Sequence, residues 1–130
     1  MTNVFLWVLQ LLLAAAYFAH GWLLLSPPAD LAEQIKSSIP TALRLFLGAA
    51  EVMAAAGLVL PGLTRIAPWL TPLASAGLIP IMIGATVLHL WRSEFTSAAT
   101  TAVLLAMVTF VAYMRWKVAP IGTRRVSSAA

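Results

Sequence analysis

Four long apolar stretches, separated by short polar connectors, set the pattern of this chain. They cover approximately residues 3–25, 41–62, 67–91 and 97–116. As an α-helix, each is long enough to cross a hydrocarbon layer about 30 Å thick at about 1.5 Å per residue. The pattern therefore predicts an all-α integral membrane four-helix bundle, formed by residues 1–130 as a single membrane domain.

Polar and helix-breaking residues mark the ends of these spans. Ser26-Pro27-Pro28 closes the first span, because proline cannot continue the hydrogen-bond ladder of a helix. Residues 30–38 form a polar connector in which Leu31 and Ile35 lie four apart, a spacing that favours a short interfacial helix. Residues 117–130 are basic and polar, and we expect them to form a flexible tail.

Composition supports the membrane interpretation and excludes several classes of protein. The chain is 62% hydrophobic and 9% charged, whereas soluble domains carry about 25% charged residues. The lipid bilayer is therefore the expected surroundings. The absence of cysteine excludes disulfides, thiolate metal sites and dithiol redox chemistry within the chain. The sequence contains no metal-spaced cluster, and its basic residues form no stripe suited to nucleic acid.

The distribution of positive charge predicts an orientation. Four spans place both termini on one side of the membrane, and five of the eight Lys and Arg residues lie on that side. Lys and Arg are enriched on the cytoplasmic side of membrane proteins, so both termini are expected in the cytoplasm. The five are Arg65, Arg115, Lys117, Arg124 and Arg125, and the other three are Lys36, Arg44 and Arg92.

Glu51 is the most informative polar residue, because a carboxylate at membrane depth is energetically unfavourable and usually faces the interior of a bundle. It lies about ten residues into the second span, or roughly 15 Å along the helix. Arg44, Gly48 and Glu51 share one helix face. Glu51 could bind a proton or a ligand, or it could be a structural carboxylate bonded to Tyr17, a histidine or a free carbonyl.

Four other polar side chains are predicted to converge with Glu51 on the outer half of the bundle. His20 and His89 occupy matching outer ends of the first and third spans, and Tyr17 lies one turn below His20. Arg44 could pair with Glu51 or extend to the membrane surface. The two histidines permit a bis-histidine haem site, but haem is disfavoured because nothing else marks a porphyrin pocket.

The second and third spans resemble the DoxX-like family of small bacterial membrane proteins. The resemblance rests on Arg44-x3-Gly48-x2-Glu51-x5-Gly57-x3-Pro61, followed by Met82-x-Gly84-Ala85-x3-His89. It extends to the four spans, the outer connector and the basic tail. Relatives often close the first helix with a glycine and a lysine, whereas this chain has His20-Gly21-Trp22.

The resemblance implies a multi-pass protein of the bacterial cytoplasmic (inner) membrane, with Arg44, Glu51 and His89 as the family's polar residues. It also implies a link to quinone-dependent redox chemistry through a membrane oxidoreductase partner. The leading hypothesis is thus a membrane subunit or small-ligand binder with quinone as the candidate ligand. A structural scaffold or assembly factor and a proton-coupled transporter of small molecules are the alternatives. Fold alone does not decide among them.

Overall fold

The protein folds as a bundle of helices in the computed structural model, which describes residues 1–125. No strand occurs within that range, and four of the helices are long and apolar enough to cross a membrane. The predicted all-α membrane fold is therefore confirmed. The helices are α1 (Thr2–Leu25), α2 (Ala29–Ser38), α3 (Thr41–Thr64), α4 (Leu70–Trp91) and α5 (Phe95–Tyr113), which continues as a π-helical turn over Met114–Val118.

The four long helices run antiparallel to their neighbours in a closed ring. α1 packs most extensively on α3, α3 on α4 and α4 on α5, while α5 returns to α1. Gly21 of α1 meets Gly48 of α3, and Gln10 of α1 bonds the carbonyl of Leu58 in α3. We call the end where α1 begins and α5 ends the base, and the opposite end, which carries α2, the top.

Apolar side chains fill the centre of the bundle and also cover its outside. Fully buried leucine, valine and tyrosine side chains from α1, α3, α4 and α5 form a continuous core. Large apolar side chains such as Phe18, Phe46 and Met53 are more than half exposed. An apolar exterior of this extent is stable only against lipid, which agrees with a membrane-spanning bundle.

Short polar contacts join α4 to α5 and fix α2 at the top. Ser75 donates a 2.7 Å hydrogen bond to the carbonyl of Val108, and Thr86 donates one of 2.9 Å to Thr101. α2 contributes no buried residue. Its end is held by Arg92, whose guanidinium donates to the carbonyl of Ser38 at 2.7 Å.

Some helix ends differ by a few residues from the expected limits of the spans. α3 continues past Pro61 to Thr64 and is followed by Arg65, which adopts the left-handed conformation with φ 56°. The predicted tail begins inside the π-helical turn. Beyond that turn, Ile121 packs against Gly62, and the backbone N–H of Arg124 bonds the carbonyl of Arg65. Residues 126–130 of the tail lie outside the described residues.

Candidate functional site

Two glycines bring α1 and α3 into backbone contact in the upper half of the bundle. A Cβ atom at Gly21 would lie 2.8 Å from the carbonyl oxygen of Gly48 and 3.0 Å from Cβ of Glu51. A Cβ at Gly48 would lie 2.9 Å from the carbonyl oxygen of Gly21. Small residues permit this approach between membrane helices. The approach places Glu51, one turn along α3 from Gly48, directly against α1.

Glu51 is bound by His20 at this contact. Nδ1 of His20 lies 2.6 Å from Oε2 of Glu51. The Glu51 side chain is 2% exposed, whereas the His20 side chain is 57% exposed. The structure therefore selects one histidine among the partners left open for Glu51. It forms a dyad with a buried carboxylate and an imidazole that reaches the surface of the bundle.

Arg44 lies on the same face of α3 but binds elsewhere. Its buried guanidinium donates through Nη1 to the backbone carbonyl of Leu24 in the last turn of α1. Carbonyls in the last turn of a helix have no partner within the helix, and a cation there also complements the helix dipole. Arg44 thus completes the end of α1 rather than forming an ion pair with Glu51.

The two remaining residues of the predicted site, Tyr17 and His89, have different surroundings. Tyr17 is buried one turn below His20, and its hydroxyl has no hydrogen-bond partner among residues 1–125. His89 bonds Glu94 in the turn after α4, with 2.5 Å between Nδ1 and Oε2. Of the five residues expected to converge, the structure joins Glu51 and His20 by a hydrogen bond, with Tyr17 one turn below His20. Arg44 bonds the end of α1, and His89 lies in a separate pair.

The dyad has the chemical elements of a proton-transfer site. The carboxylate of Glu51 accepts from Nδ1–H of His20, which fixes the ring orientation and leaves Nε2 as the second functional nitrogen. Nε2 has no hydrogen-bond partner within residues 1–125. A buried carboxylate that orients an exposed imidazole is the arrangement used to move a proton to or from a bound molecule.

A second polar network, absent from the sequence-based site, lies at the base. Arg115 is 2% exposed and donates through Nε to Oε1 of Gln10 at 2.6 Å. It also donates through Nη1 to Oδ1 of Asn3 at 2.6 Å. Gln10 in turn donates to the carbonyl of Leu58 at 2.6 Å. The guanidinium carbon of Arg115 lies 5.5 Å from the centre of the Trp7 ring.

Two residues in the sequence, Arg115 and Gln10, indicate this network. Arg115 had been counted only as a positive charge that sets the orientation of the protein. Arg115 precedes the end of the last span, so that its side chain can point into the bundle as readily as toward the lipid headgroups. Gln10 is a polar residue inside the first span and requires a partner in lipid. Gln10 and Arg115 lie at similar depths in their helices. A contact between them could therefore be predicted once it is known that α1 and α5 are neighbours.

Comparison with known proteins identifies the chain at the level of its family. No curated protein and no solved structure matches it. A family model described as the DoxX-like family matches residues 8–111, which include α3, α4, most of α1 and α5, the dyad and Arg44. The match covers most of the 130 residues, and the chain therefore belongs to the DoxX-like family.

Proposed function

We propose that this multi-pass membrane protein binds a lipid-soluble quinone at the His20–Glu51 dyad and serves as a membrane subunit or ligand binder in quinone-linked redox chemistry. The observation that carries the proposal is the difference in exposure across a 2.6 Å hydrogen bond, with Glu51 2% and His20 57% exposed. A molecule dissolved in the bilayer can reach the imidazole without entering the bundle.

The donors at this site suit a quinone carbonyl. Nε2 of His20 can donate to a carbonyl oxygen when the ring is protonated, while Glu51 holds Nδ1 and balances the charge. Together these groups would orient the carbonyl and deliver a proton to it.

Reduction of a quinone to a quinol consumes two electrons and two protons. His20 would supply one proton to one carbonyl oxygen, with Glu51 stabilising the imidazolium before that transfer, and water would supply the second proton to the other carbonyl oxygen. The chain has no cysteine, so dithiols of its own supply no electrons. A membrane oxidoreductase partner would supply both electrons, and water at the top of the bundle would restore the proton.

The experiment is native mass spectrometry of the protein extracted gently from its own membrane, beside Glu51→Gln and His20→Gln. His89→Gln is the matched control, because it removes a histidine that also binds a carboxylate but lies outside the dyad. We expect a quinone bound to the wild type and to H89Q and lost from E51Q and H20Q. Equal retention by all four proteins, or no quinone on the wild type, would contradict the proposal.

An apolar groove between α3 and α4 favours a second candidate function, the scaffolding of another membrane protein. The groove has a volume of about 600 Å³ and is lined by small residues such as Ala50, Gly57, Ala74 and Gly77. Small residues admit a partner helix closely. If scaffolding is the function, Ala74→Leu would abolish copurification of a stoichiometric partner, and Glu51→Gln would leave it unchanged.

Proton-coupled transport of a small molecule is the third candidate, and substitution of Glu51 also tests it. In sealed vesicles with an imposed pH gradient, uptake of a small compound that is lost in Glu51→Gln would favour transport over quinone binding. Uptake that does not depend on the pH gradient would count against proton-coupled transport.

For orientation and location, we propose that the base faces the cytoplasm of a bacterial cell and that the bundle lies in the inner membrane. Five of the eight Lys and Arg residues belong to the base or to the tail that follows it, as expected for a cytoplasmic side. A C-terminal fluorescent-protein fusion should be fluorescent and a C-terminal alkaline phosphatase fusion inactive. The reverse pattern would refute the orientation.

A further inference from the structure

The base of the bundle contains a polar pocket far from the dyad. It has a volume of about 240 Å³ and lies between the start of α1, the end of α3 and the segment that follows α5. Asn3, Trp7, Gly62, Arg65 and residues 119–122 line it. The pocket lies at the ends of membrane-spanning helices, and Trp residues are enriched at such ends.

The free polar groups of the side chains at this pocket are hydrogen-bond donors, while the backbone carbonyl of Ala119 already accepts from Nη1 of Arg115 at 3.1 Å. Arg115 can only donate, so the Asn3 atom that it contacts is Oδ1, and the remaining polar group of Asn3 is its NH₂ donor. Arg65 is a lining residue with an exposed side chain, so its guanidinium is free to turn toward the pocket. Behind Asn3, Nη2 of the buried Arg115 has no partner among residues 1–125. Such a set of donors suits an anionic acceptor.

No acidic side chain of the chain is placed to supply that acceptor. The four acidic residues are Asp30 and Glu33 in α2, Glu51 in the upper half of α3 and Glu94 in the turn before α5. Both ion pairs among residues 1–125 also lie away from the base. Residues 1–125 therefore offer no negative charge at the base, and the acceptor must come from outside them.

We infer that the basal pocket binds a phosphate group, carried by an anionic phospholipid or free in solution, on Arg65 and Asn3 with Arg115 behind them. Guanidinium groups match phosphate oxygens in charge and geometry. Basic pockets at the ends of membrane helices are recognised sites for anionic lipid headgroups. This site is separate from the quinone proposal and holds whether or not the dyad binds a quinone.

The variant that tests the site is Arg65→Asn. Asparagine removes the charge and tolerates the left-handed backbone at this position, where φ is 56°. Lys36→Asn is the matched control, because it removes an exposed cation from α2 at the top. The full chain is reconstituted in nanodiscs of phosphatidylcholine with a minor fraction of phosphatidylglycerol, and bound lipid is counted by native mass spectrometry after release.

We expect the wild type and K36N to retain phosphatidylglycerol selectively and R65N to retain it about fivefold less, the effect of about one basic contact at a membrane surface. Calorimetric titration with inorganic phosphate in pure phosphatidylcholine distinguishes the two sources. If the wild type binds inorganic phosphate and R65N binds it more weakly, the site is assigned to soluble anions. If the wild type retains phosphatidylglycerol selectively but binds no inorganic phosphate, the site is assigned to lipid headgroups. Equal retention of both lipids by the wild type, with no phosphate binding, would overturn the inference.

Discussion

The backbone contact between α1 and α3 can be tested by adding a single methyl group. In Gly21→Ala the new Cβ would lie 2.8 Å from the carbonyl oxygen of Gly48, whereas ordinary contact begins at 3.4 Å. The helices must therefore separate locally by about 0.6 Å, the difference between these two distances. Glu51 cannot absorb the displacement, because its own Cβ would lie 3.0 Å from the new atom.

The expected effect is a lower free energy of unfolding. Overpacking of a close-packed interface costs about 1–3 kcal/mol, and we expect Gly21→Ala to lie within this range. Gly84→Ala is the control, because a Cβ at Gly84 in α4 would meet nothing within 4 Å. That variant should be unchanged within about 0.5 kcal/mol, or more stable through the higher helix propensity of alanine.

The measurement is unfolding in mixed micelles by titration with sodium dodecyl sulfate, followed by far-UV circular dichroism. Both variants carry the same substitution inside a membrane helix, so differences in helix propensity largely cancel. Indistinguishable unfolding curves for Gly21→Ala and Gly84→Ala would refute the close contact, and with it the geometry that presents Glu51 to His20.

Three further predictions use the same unfolding assay. Arg44→Met should lower the unfolding free energy by about 1–3 kcal/mol, because it leaves a carbonyl of α1 without its donor. In a double-mutant cycle, Gln10→Leu and Arg115→Met should show a coupling energy of about 0.5–3 kcal/mol, because the two buried side chains are hydrogen-bonded. His89→Gln should change stability by less than about 1 kcal/mol, because its bond to the exposed Glu94 lies near the surface.

Each of these predictions has a result that would contradict it. Lys36→Met, which removes an exposed cation in α2, is the control for Arg44→Met, and equal effects of the two would show that the bond to α1 is unimportant. Strict additivity of Gln10→Leu and Arg115→Met would mean that the two side chains act independently. A loss above about 2 kcal/mol in His89→Gln, on the scale of a buried pair, would mean that this histidine is more than a surface residue.

The sequence predicts the bundle well because lipid imposes a simple rule on it. Every residue facing the bilayer must be apolar, so the spans appear as continuous apolar runs without any knowledge of helix packing. The importance of Glu51 follows from the same rule, since an isolated carboxylate must face the interior. The fold and its central polar residue could therefore be predicted from residue type alone.

The partners of the polar residues depend on how the helices are rotated and ordered, which the apolar runs do not encode. His20 and His89 occur at equivalent places in their spans, but α1 faces α3 through Gly21, while the end of α4 turns toward Glu94. Arg115 belongs by sequence to a basic end segment, yet its side chain is buried. Spacing along one helix cannot distinguish these cases, because the deciding contacts come from neighbouring helices.

The bonds from Arg115 to Asn3 and Gln10 connect residues more than one hundred positions apart. Hairpins of α1 with α3 and of α4 with α5 need only neighbouring segments, so each can form while later residues are still being synthesised. The ring, in contrast, can close only after the last span has been inserted beside the first. Until then Gln10 can bond the carbonyl of Leu58 but lacks its bond to Arg115. The nascent protein therefore exposes polar side chains of α1 to lipid. Closure of the bundle is therefore the step that completes the hydrogen bonding of Gln10 inside the membrane.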